Sequence, residues 1–327
     1  MSKLVTIYGG SGFVGRYIAR RMAKLGWRVR VAVRRPNEAL FVKPYGSVGQ
    51  VEPVFCNIRD DESVRSVMHG ADAVVNCVGT FDARGKNNFD AVQSEGAGRI
   101  ARIAAEEGVE SFVHLSAIGA DRESASSYAR TKGLGEEAVL ASFPSAMILR
   151  PSVIFGMEDN FFNRFAGMAR MGPVLPLVGA DMKFQPVYVD NVAEAAEKGL
   201  TGVAAPGIYE LGGPEVKSFR AFIEEMLSVI RRRKMLLNLP FGLASVMGRV
   251  SEFVQRITGG LFTAPITRDQ VIMLRKDNVV SDGAKGLKEL GITPVAPEAV
   301  LPDYLWRFRP GGQYDAIKES AASLRTE

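Results

Sequence analysis

The chain has 327 residues, of which 46% are hydrophobic and 24% are charged, and its formal net charge is +5. A chain of this length can bury a full core and still supply a smaller second region. No stretch approaches a transmembrane span, and the charge is modest and spread along the chain, so neither a membrane-spanning protein nor a nucleic-acid partner is indicated. The first strand is predicted to begin at residue 3, which leaves no room for a cleavable signal or transit peptide, so we expect the protein to stay in the compartment where it is made.

Cysteine and histidine positions argue against a metal centre. Cys56 and Cys77 lie at the ends of predicted strands without metal or redox spacing, and we expect both to be reduced packing residues. The histidines are His69 and His114, and His114 lies inside a predicted strand. We therefore expect no metal ion in this protein.

An apolar strand at the start of the chain runs into three glycines spaced three apart and then into a helix. Gly9 lets the chain turn, Gly12 lets backbone N–H groups approach a pyrophosphate, and Gly15 lets helix and strand pack closely. The positive end of the helix, which is predicted to run from Phe13 to a stop at Gly26, then faces the phosphates. The pattern predicts a dinucleotide site.

The second strand, Arg28 to Val33, ends where an NAD-preferring site places a carboxylate for the ribose hydroxyls. Arg34 and Arg35 stand there instead. A pair of guanidinium groups can bind a 2′-phosphate and leaves no acid to repel it, which favours NADP(H) over NAD(H). The alternative is two solvated arginines at a strand end.

Strands and helices alternate through the first half of the chain. The predicted strands are Val51 to Phe55, Ala73 to Val78, Ser111 to Leu115 and Ala146 to Leu149, and the predicted helices are Glu62 to Met68, Phe89 to Glu107 and one that closes over Ala138 to Phe143. Such alternation predicts a parallel sheet covered on both faces, with ligands bound at the carboxyl ends of the strands. The sequence therefore predicts a Rossmann-type, doubly wound α/β fold with a smaller, mostly helical C-terminal region.

We predict three regions along the chain. Residues 1–212 are expected to form the nucleotide-binding domain, with 157–185 as an insertion toward the small region. Residues 213–310 are expected to form the small C-terminal region. The polar stretch 311–327 is the one segment for which disorder is predicted.

Tyr128 and Lys132 lie four residues apart at the start of a predicted helix and therefore on one face. An ammonium beside a phenol is expected to lower the phenol pKa toward a value at which it exchanges a proton during hydride transfer. Lysine also reaches the ribose, and Ser116, just past the fifth strand, can hold a substrate carbonyl. The alternative is a chance pairing on a helix surface.

The glycine motif, the segment Asn76 to Gly79, Ser116 and the Tyr128/Lys132 pair resemble the short-chain dehydrogenase/reductase superfamily, in its extended or atypical branch, over residues 3–215. The resemblance implies catalytic positions at Ser116, Tyr128 and Lys132. It further implies cofactor contacts at Gly9, Ser11, Gly12, Phe13, Val14, Gly15, Arg34, Arg35, Asn57, Ile58, Val78, Gly79, Tyr128, Lys132, Pro151 and Val153. Asn57 departs from the usual pattern, because family members carry an aspartate there at the adenine.

A narrower resemblance covers nearly the whole chain and is carried by the segments Arg150 to Phe165, Gln185 to Val192 and Thr267 to Val279. They resemble the nucleotide-binding accessory subunit of respiratory complex I, the proton-pumping NADH:ubiquinone oxidoreductase. That resemblance implies a tightly held, structural NADPH on the peripheral arm near the membrane, too far from the redox chain to feed it electrons. It implies other complex I subunits as partners and vestigial catalytic positions. Without a presequence, the expected location is the cytoplasmic face of a bacterial inner membrane.

A second class of function stays open on the residues alone. The chain could be a free-standing NADPH-dependent reductase, epimerase or dehydratase that acts on a sugar nucleotide or an isoprenoid- or quinone-like substrate. Apolar residues follow or adjoin Gly156 and suit a lipid or quinone tail, a protein interface or simple core packing. They are Phe155, Phe161, Phe162, Phe165, Met168 and Met171.

Two further segments suggest surfaces. The basic run Arg231 to Lys234 precedes an apolar segment, Met235 to Val250, which is predicted to be helical. Such a pair suits an anionic membrane or a partner protein, or else a core helix with a solvated basic turn. Near the end of the chain an apolar stripe at helical spacing, opposite Trp306, Arg307 and Arg309, suits an interface or core packing. The stripe consists of Leu301, Tyr304, Leu305 and Phe308.

Overall fold

The structure is a computed structural model that describes residues 2–80, 85–257, 267–312 and 314. Its contacts divide the chain into two compact units. The first unit comprises Met1–Ser152, Val189–Gly212 and Val280–Pro294, and the second comprises Val153–Tyr188, Gly213–Val279 and Val295–Glu327. The predicted boundaries differ from this division at 153–156 and 186–188, which belong to the second unit, and at 280–294, which belongs to the first. Most of the predicted polar tail, 311–327, lies outside the described residues.

The elements of the first half of the chain follow the predicted alternation. In chain order they are β1 (Leu4–Tyr8), α1 (Phe13–Lys24), β2 (Arg28–Val33), β3 (Val51–Phe55), α2 (Asp61–Met68), β4 (Ala73–Asn76), α3 (Glu95–Glu106), β5 (Ser111–Leu115), α4 (Ser127–Ser142) and β6 (Met147–Pro151). A 3₁₀ segment, Pro36–Tyr45, follows β2, and a π-helical turn, Asp90–Ser94, precedes α3. The predicted helix from Phe89 is therefore π-helical over its first turn, and the fourth strand ends two residues earlier than predicted.

The second half of the chain mixes short strands with helices. In chain order the elements are β7 (Ile154–Phe155), α5 (Phe162–Met168), β8 (Val174–Val178), β9 (Lys183–Phe184), β10 (Val187–Tyr188), α6 (Val189–Leu200), β11 (Gly207–Leu211), β12 (Lys217–Ser218), α7 (Phe219–Val229), β13 (Met235–Leu239), α8 (Phe241–Ile257), α9 (Arg268–Met273) and α10 (Pro297–Leu305). None of the described helices is long and apolar enough to span a bilayer.

A seven-stranded sheet forms the centre of the first unit, in the order β11, β6, β5, β4, β1, β2, β3. Every neighbouring pair in it is parallel. β1 is buried at all five positions, as a strand covered on both faces requires. The strand order reverses beside β1, between β4 and β2, and open sheets of this kind bind ligands outside the carboxyl ends of the strands at such a point. The predicted Rossmann-type, doubly wound fold is confirmed.

Short polar side chains cap the starts of α2 and α4 in the first unit. The Asp60 carboxylate accepts from the Ser63 N–H at the start of α2, and the Ser126 hydroxyl accepts from the Ala129 N–H at the start of α4. The α4 cap matters for the site, because it fixes where the first turn of α4 begins and hence which way Tyr128 faces.

Aromatic packing forms the core of the second unit. Phe155, Phe162 and Phe222 are fully buried, and Phe161 packs against them at partial exposure. Core packing is therefore the confirmed reading of most of the apolar residues near Gly156, the exception being the exposed Met171. The C-terminal stripe is core as well, with Leu301, Tyr304 and Leu305 buried and Phe308 packed against them.

The prediction of a helix from Met235 is wrong over its first five residues. Met235–Leu239 forms β13, which pairs in parallel with β8, and α8 begins only at Phe241. Pro240 drives Leu239, the residue before it, out of the α region, and pairing with β8 holds the whole of Met235–Leu239 extended. The segment thus reaches the surface as one strand of a two-stranded ribbon.

Candidate functional site

The glycine turn between β1 and α1 is compact. Gly9 has a φ of +75°, and its N–H donates to the Ala32 carbonyl at 2.9 Å. The Gly12 N–H donates to the Gly9 carbonyl at 2.9 Å, and α1 starts at the next residue. A Cβ on Gly15 would lie 2.5 Å from the Gly9 oxygen, so only glycine lets the helix start this close to the strand.

This turn provides the physical requirements of a pyrophosphate cradle. The first turn of α1, which includes Phe13 and Val14, contains no acidic residue. The first N–H groups of a helix lack intrahelical acceptors and carry the positive end of the helix dipole. They therefore attract a phosphate at the carboxyl edge of the sheet.

Arg16 braces the turn, and sequence reasoning missed it. Its guanidinium donates to the carbonyls of Ser11 at 3.0 Å and Gly12 at 3.3 Å, and lies 4.6 Å from the ring centre of Phe41. These contacts tie the glycine turn to the 3₁₀ segment after β2. A fixed cation beside the cradle adds to its attraction for an anion.

Arg34 and Arg35 are both exposed and follow the last residue of β2. Arg35 forms an ion pair with Glu38 at 3.0 Å, with both side chains about seven-tenths exposed. An exposed pair of this kind is worth about 0–1 kcal/mol, so a phosphate can displace Glu38 at little expense. The geometry leaves both guanidinium groups available to a 2′-phosphate.

Asn57 and Ile58 lie in the turn after β3. The Asn57 N–H donates to the Ser63 hydroxyl at 2.9 Å, and the Asn57 amide oxygen accepts from the Arg59 N–H at 3.3 Å. Ile58 packs against the core of the first unit. Asn57 therefore shapes its own turn, a role that an aspartate fills equally well.

The ends of β1 and β4 meet, which brings several predicted residues together. A Cβ on Gly9 would lie 3.2 Å from the Cys77 carbonyl and the Val78 nitrogen, and one on Gly79 would lie 3.7 Å from Lys132 Nζ. The Val78 N–H donates to the Asn76 amide oxygen at 3.0 Å. The glycine turn, the Val78–Gly79 segment and Lys132 thus share one edge of the sheet.

The pKa of Tyr128 moves opposite to the prediction. Lys132 Nζ donates to the Leu115 carbonyl at 2.9 Å. Burial lowers the pKa of the Lys132 ammonium to about 8, although the nearby Glu136 carboxylate acts in the opposite direction. Tyr128 packs edge-on against Phe89, and burial raises its pKa above the ordinary value. Desolvation of the phenol thus outweighs the effect expected of a neighbouring cation.

Sequence reasoning also missed a buried chain of charges behind Ser116. The Ser116 hydroxyl donates to Glu136, whose carboxylate accepts from Arg150 Nε at 2.9 Å and from Arg150 Nη2 at 2.6 Å. Arg150 Nη1 lies 3.5 Å from Glu210, the residue opposite it in the register of β6 and β11. The available signal was the spacing on α4, because Glu136 follows Lys132 by one turn on the same face.

The two remaining predicted contacts fall in different units. Pro151 is the buried last residue of β6, and its carbonyl accepts from the Ile118 N–H at 3.0 Å. Val153 belongs to the second unit, where its N–H donates to the Asn278 side chain at 3.1 Å.

The parallel sheet, the glycine turn before α1 and the shared carboxyl edge of β1 and β4 are the features of a Rossmann-type dinucleotide-binding protein. The model of the NAD dependent epimerase/dehydratase family matches residues 5–212. The chain is 33% identical over 316 residues to the mitochondrial NADH dehydrogenase (ubiquinone) 1 alpha subcomplex subunit 9 of Arabidopsis thaliana, which covers 94% of this chain and 79% of that relative. The chain belongs to the NAD dependent epimerase/dehydratase family and, within it, to the family of these alpha subcomplex subunits.

Two other similarities place the family more widely. A ceramide reductase of Caulobacter vibrioides is 33% identical over 190 residues, or 58% of each chain. Among solved structures, the NADPH-dependent quinone oxidoreductase QOR2 of Escherichia coli, complexed with NADPH, superposes with a TM-score of 0.68 at 16% identity, covering 92% of this chain and 98% of that one. At that identity the likeness shows the fold alone.

His114 is expected to make stability depend on pH. Asn76 Nδ2 donates to His114 Nδ1 at 3.2 Å, while His114 Nε2 has no partner among the described residues. Burial and then Lys132 lower the His114 pKa from 6.5 to about 3. Between these values the unfolded chain binds a proton that the folded protein does not, so stability falls as pH falls below 6.5, by at most about 1.4 kcal/mol per pH unit.

Urea unfolding between pH 7.5 and 5 measures this slope. We expect His114→Gln to flatten the profile relative to its own value at pH 7.5, and His69→Gln, which changes an exposed histidine, to keep the wild-type slope. An unchanged slope in His114→Gln would show that other groups set the pH dependence.

Proposed function

We propose that this protein is an accessory subunit of respiratory complex I that binds NADPH tightly as a structural cofactor and stabilises the peripheral arm near the membrane, without a direct part in electron transfer. The observation that carries the proposal is the similarity to the Arabidopsis subunit over 94% of the chain. That similarity extends well beyond the nucleotide-binding residues 5–212, so it includes the second unit.

The candidate catalytic residues support a structural role for the nucleotide. The Ser116 hydroxyl is engaged by Glu136, and burial raises the pKa of the Tyr128 phenol. A general acid or base works best with a pKa near the operating pH. Ser116 and Tyr128 therefore favour nucleotide binding over proton transfer, as vestigial catalytic positions would.

A second candidate function is a free-standing NADPH-dependent reductase, epimerase or dehydratase. The similarity to the Caulobacter ceramide reductase favours this alternative, with a lipid-, isoprenoid- or quinone-like substrate in place of a sugar nucleotide. The similarity to the ceramide reductase covers 58% of the chain, whereas the similarity to the Arabidopsis subunit covers 94%.

Affinity purification from native membranes solubilised in mild detergent separates the two functions. We expect the tagged protein to bring down other complex I subunits and close to one NADPH per chain, identified by mass spectrometry of the proteins and of the released nucleotide. Recovery of the chain alone from the soluble fraction would instead support the free-standing enzyme.

NADPH is the proposed cofactor because Arg34 and Arg35 are exposed at the end of β2. We expect Arg34→Ala/Arg35→Ala to raise the NADPH dissociation constant about 10- to 100-fold and to leave that of NADH unchanged, since each hydrogen bond to a charged group contributes about 1.5–3 kcal/mol. Fluorescence titration of the reduced nucleotides measures both constants. Arg28→Ala, an exposed change at the other end of β2, is the matched control. Equal weakening of NADPH binding and NADH binding would contradict the proposal.

We also propose that the ribbon of β8 and β13 contacts the membrane. Met235 and Leu237 are opposite Val174 and Pro176 in its register, and all four side chains are exposed. The basic run Arg231 to Lys234 adjoins this apolar face. Apolar groups with flanking cations suit an anionic bilayer surface. In a bacterial cell the surface would be the cytoplasmic face of the inner membrane.

Flotation with phosphatidylglycerol/phosphatidylcholine vesicles tests this contact. We expect Leu237→Asp to weaken binding about tenfold, because burial of a leucine side chain contributes about 1.5–3 kcal/mol and the introduced charge repels the lipid. Val203→Asp changes an exposed apolar residue of the first unit and should bind like wild type. Equal binding by both variants would show that the ribbon does not contact the membrane.

A further inference from the structure

The Ser116 hydroxyl can donate one hydrogen bond, and it donates this bond to the Glu136 carboxylate. Both residues are buried, at 5% and 3% exposure, so solvent does not compete for this bond. The Ser116 N–H donates to the Leu149 carbonyl at 2.7 Å, which fixes the backbone from which the hydroxyl projects. A hydroxyl that donates to a carboxylate cannot at the same time donate to a substrate carbonyl.

Arg150 holds the Glu136 carboxylate in place. Its Nε and Nη2 groups form a fork on the two carboxylate oxygens, which is the strong bidentate geometry of a guanidinium and a carboxylate. Glu210 approaches the far side of Arg150, and its other oxygen accepts from the Ser281 N–H at 2.8 Å. The acceptor that faces Ser116 is thereby anchored to β6, β11 and the segment 280–294, all within the first unit.

We infer that Glu136 is a positioning residue that withholds the Ser116 hydroxyl from a ligand carbonyl at the carboxyl edge of the sheet, with Arg150 as its anchor. The inference deepens the proposed function and rests on it, because it gives the reason a bound NADPH is not turned over. A nicotinamide nucleotide supplies a hydride when bound. Ser116 donates no hydrogen bond to an acceptor of that hydride while it donates to Glu136.

The isosteric variant Glu136→Gln reverses the hydrogen bond. Because a guanidinium only donates, the amide oxygen of the variant takes the place of Oε2, which accepts from Arg150 Nη2 at 2.6 Å and Nε at 3.1 Å, and the amide NH₂ takes the place of Oε1, which faces Ser116. Ser116 then accepts instead of donating, and its proton is free. Glu137→Gln, on the next residue of α4, changes an exposed carboxylate that pairs with Arg122 and is the matched control.

The first readout needs no nucleotide. Thermal unfolding of the wild type, Ser116→Ala, Glu136→Gln and the double variant forms a double-mutant cycle. Because a bond to a carboxylate is about twice as strong as a neutral one, we expect Ser116→Ala to lower Tm by at least about 2 °C more in the wild type than in the Glu136→Gln background. Equal losses in both backgrounds would overturn the inference.

The second readout is the oxidation of NADPH by 1,4-naphthoquinone, in which a hydride from the nucleotide and a proton from solvent convert the quinone to the hydroquinone. With NADPH at saturation, we expect Glu136→Gln to react at least about tenfold faster than the wild type, the gain to be lost in Glu136→Gln/Ser116→Ala, and Glu137→Gln to match the wild type. An unchanged rate in folded, nucleotide-loaded Glu136→Gln would overturn the inference.

Two additions separate the possible failures. If Glu136→Gln does not fold, Glu136→Asp replaces it, because the shorter carboxylate can keep Arg150 but draws back from Ser116. The nucleotide content of the purified protein is measured independently of the added NADPH. Absence of co-purified NADPH would count against the proposed function, whereas the Tm cycle and the oxidation rates bear on the inference itself.

Discussion

The close approach of helix α1 to strand β1 is the constraint on which the candidate site depends. With the Gly15 Cα held this near the Gly9 carbonyl, any side chain there would collide with backbone, and backbone cannot move aside. The contact sets the helix start directly over the end of the central strand β1, which has β4 on one side and β2 on the other. The start of α1, the Val78–Gly79 segment and the Lys132 ammonium share this edge, because Gly9 adjoins Val78 and Gly79 adjoins Lys132.

Behind that edge, the charged side chains are stabilised by oppositely charged neighbours and not by solvent. Lys132, Glu136, Arg150 and Glu210 form a line of alternating sign from α4 to β11, so each buried charge has a partner of opposite charge nearby. Such a line is rigid, since Glu136 and Arg150 each have an oppositely charged neighbour on both sides. Rigidity of this kind suits a site that holds a ligand permanently more than one that must rearrange through a catalytic cycle.

How much the sequence could predict varies with the range of the interactions. The sheet and the glycine turn were predictable, because strand hydrophobicity and Gly9, Gly12 and Gly15 act within about fifteen residues of chain. The strand Met235–Leu239 was not, because its apolar run fits a helix as well as a strand and its pairing partner, β8, lies about sixty residues earlier. The Tyr128 pKa also depends on burial by distant residues, whereas the helical spacing to Lys132 indicated only that two side chains share a face.

Binding and turnover of a nucleotide depend on different parts of the site, which explains how a nucleotide site could persist without turnover. A ligand that binds only the folded state stabilises it in proportion to the logarithm of its concentration over its dissociation constant, whatever happens at its reactive end. The cradle formed by the glycine turn and the first turn of α1 would hold the phosphates, whereas Ser116 and Tyr128 would concern the reactive end alone. Substitutions and new hydrogen bonds around Ser116 can therefore remove chemistry while the binding energy at Gly9, Gly12 and Gly15 continues to stabilise the fold. A large assembly would benefit from this arrangement, because a tightly held nucleotide links the stability of one subunit to a metabolite that is always present.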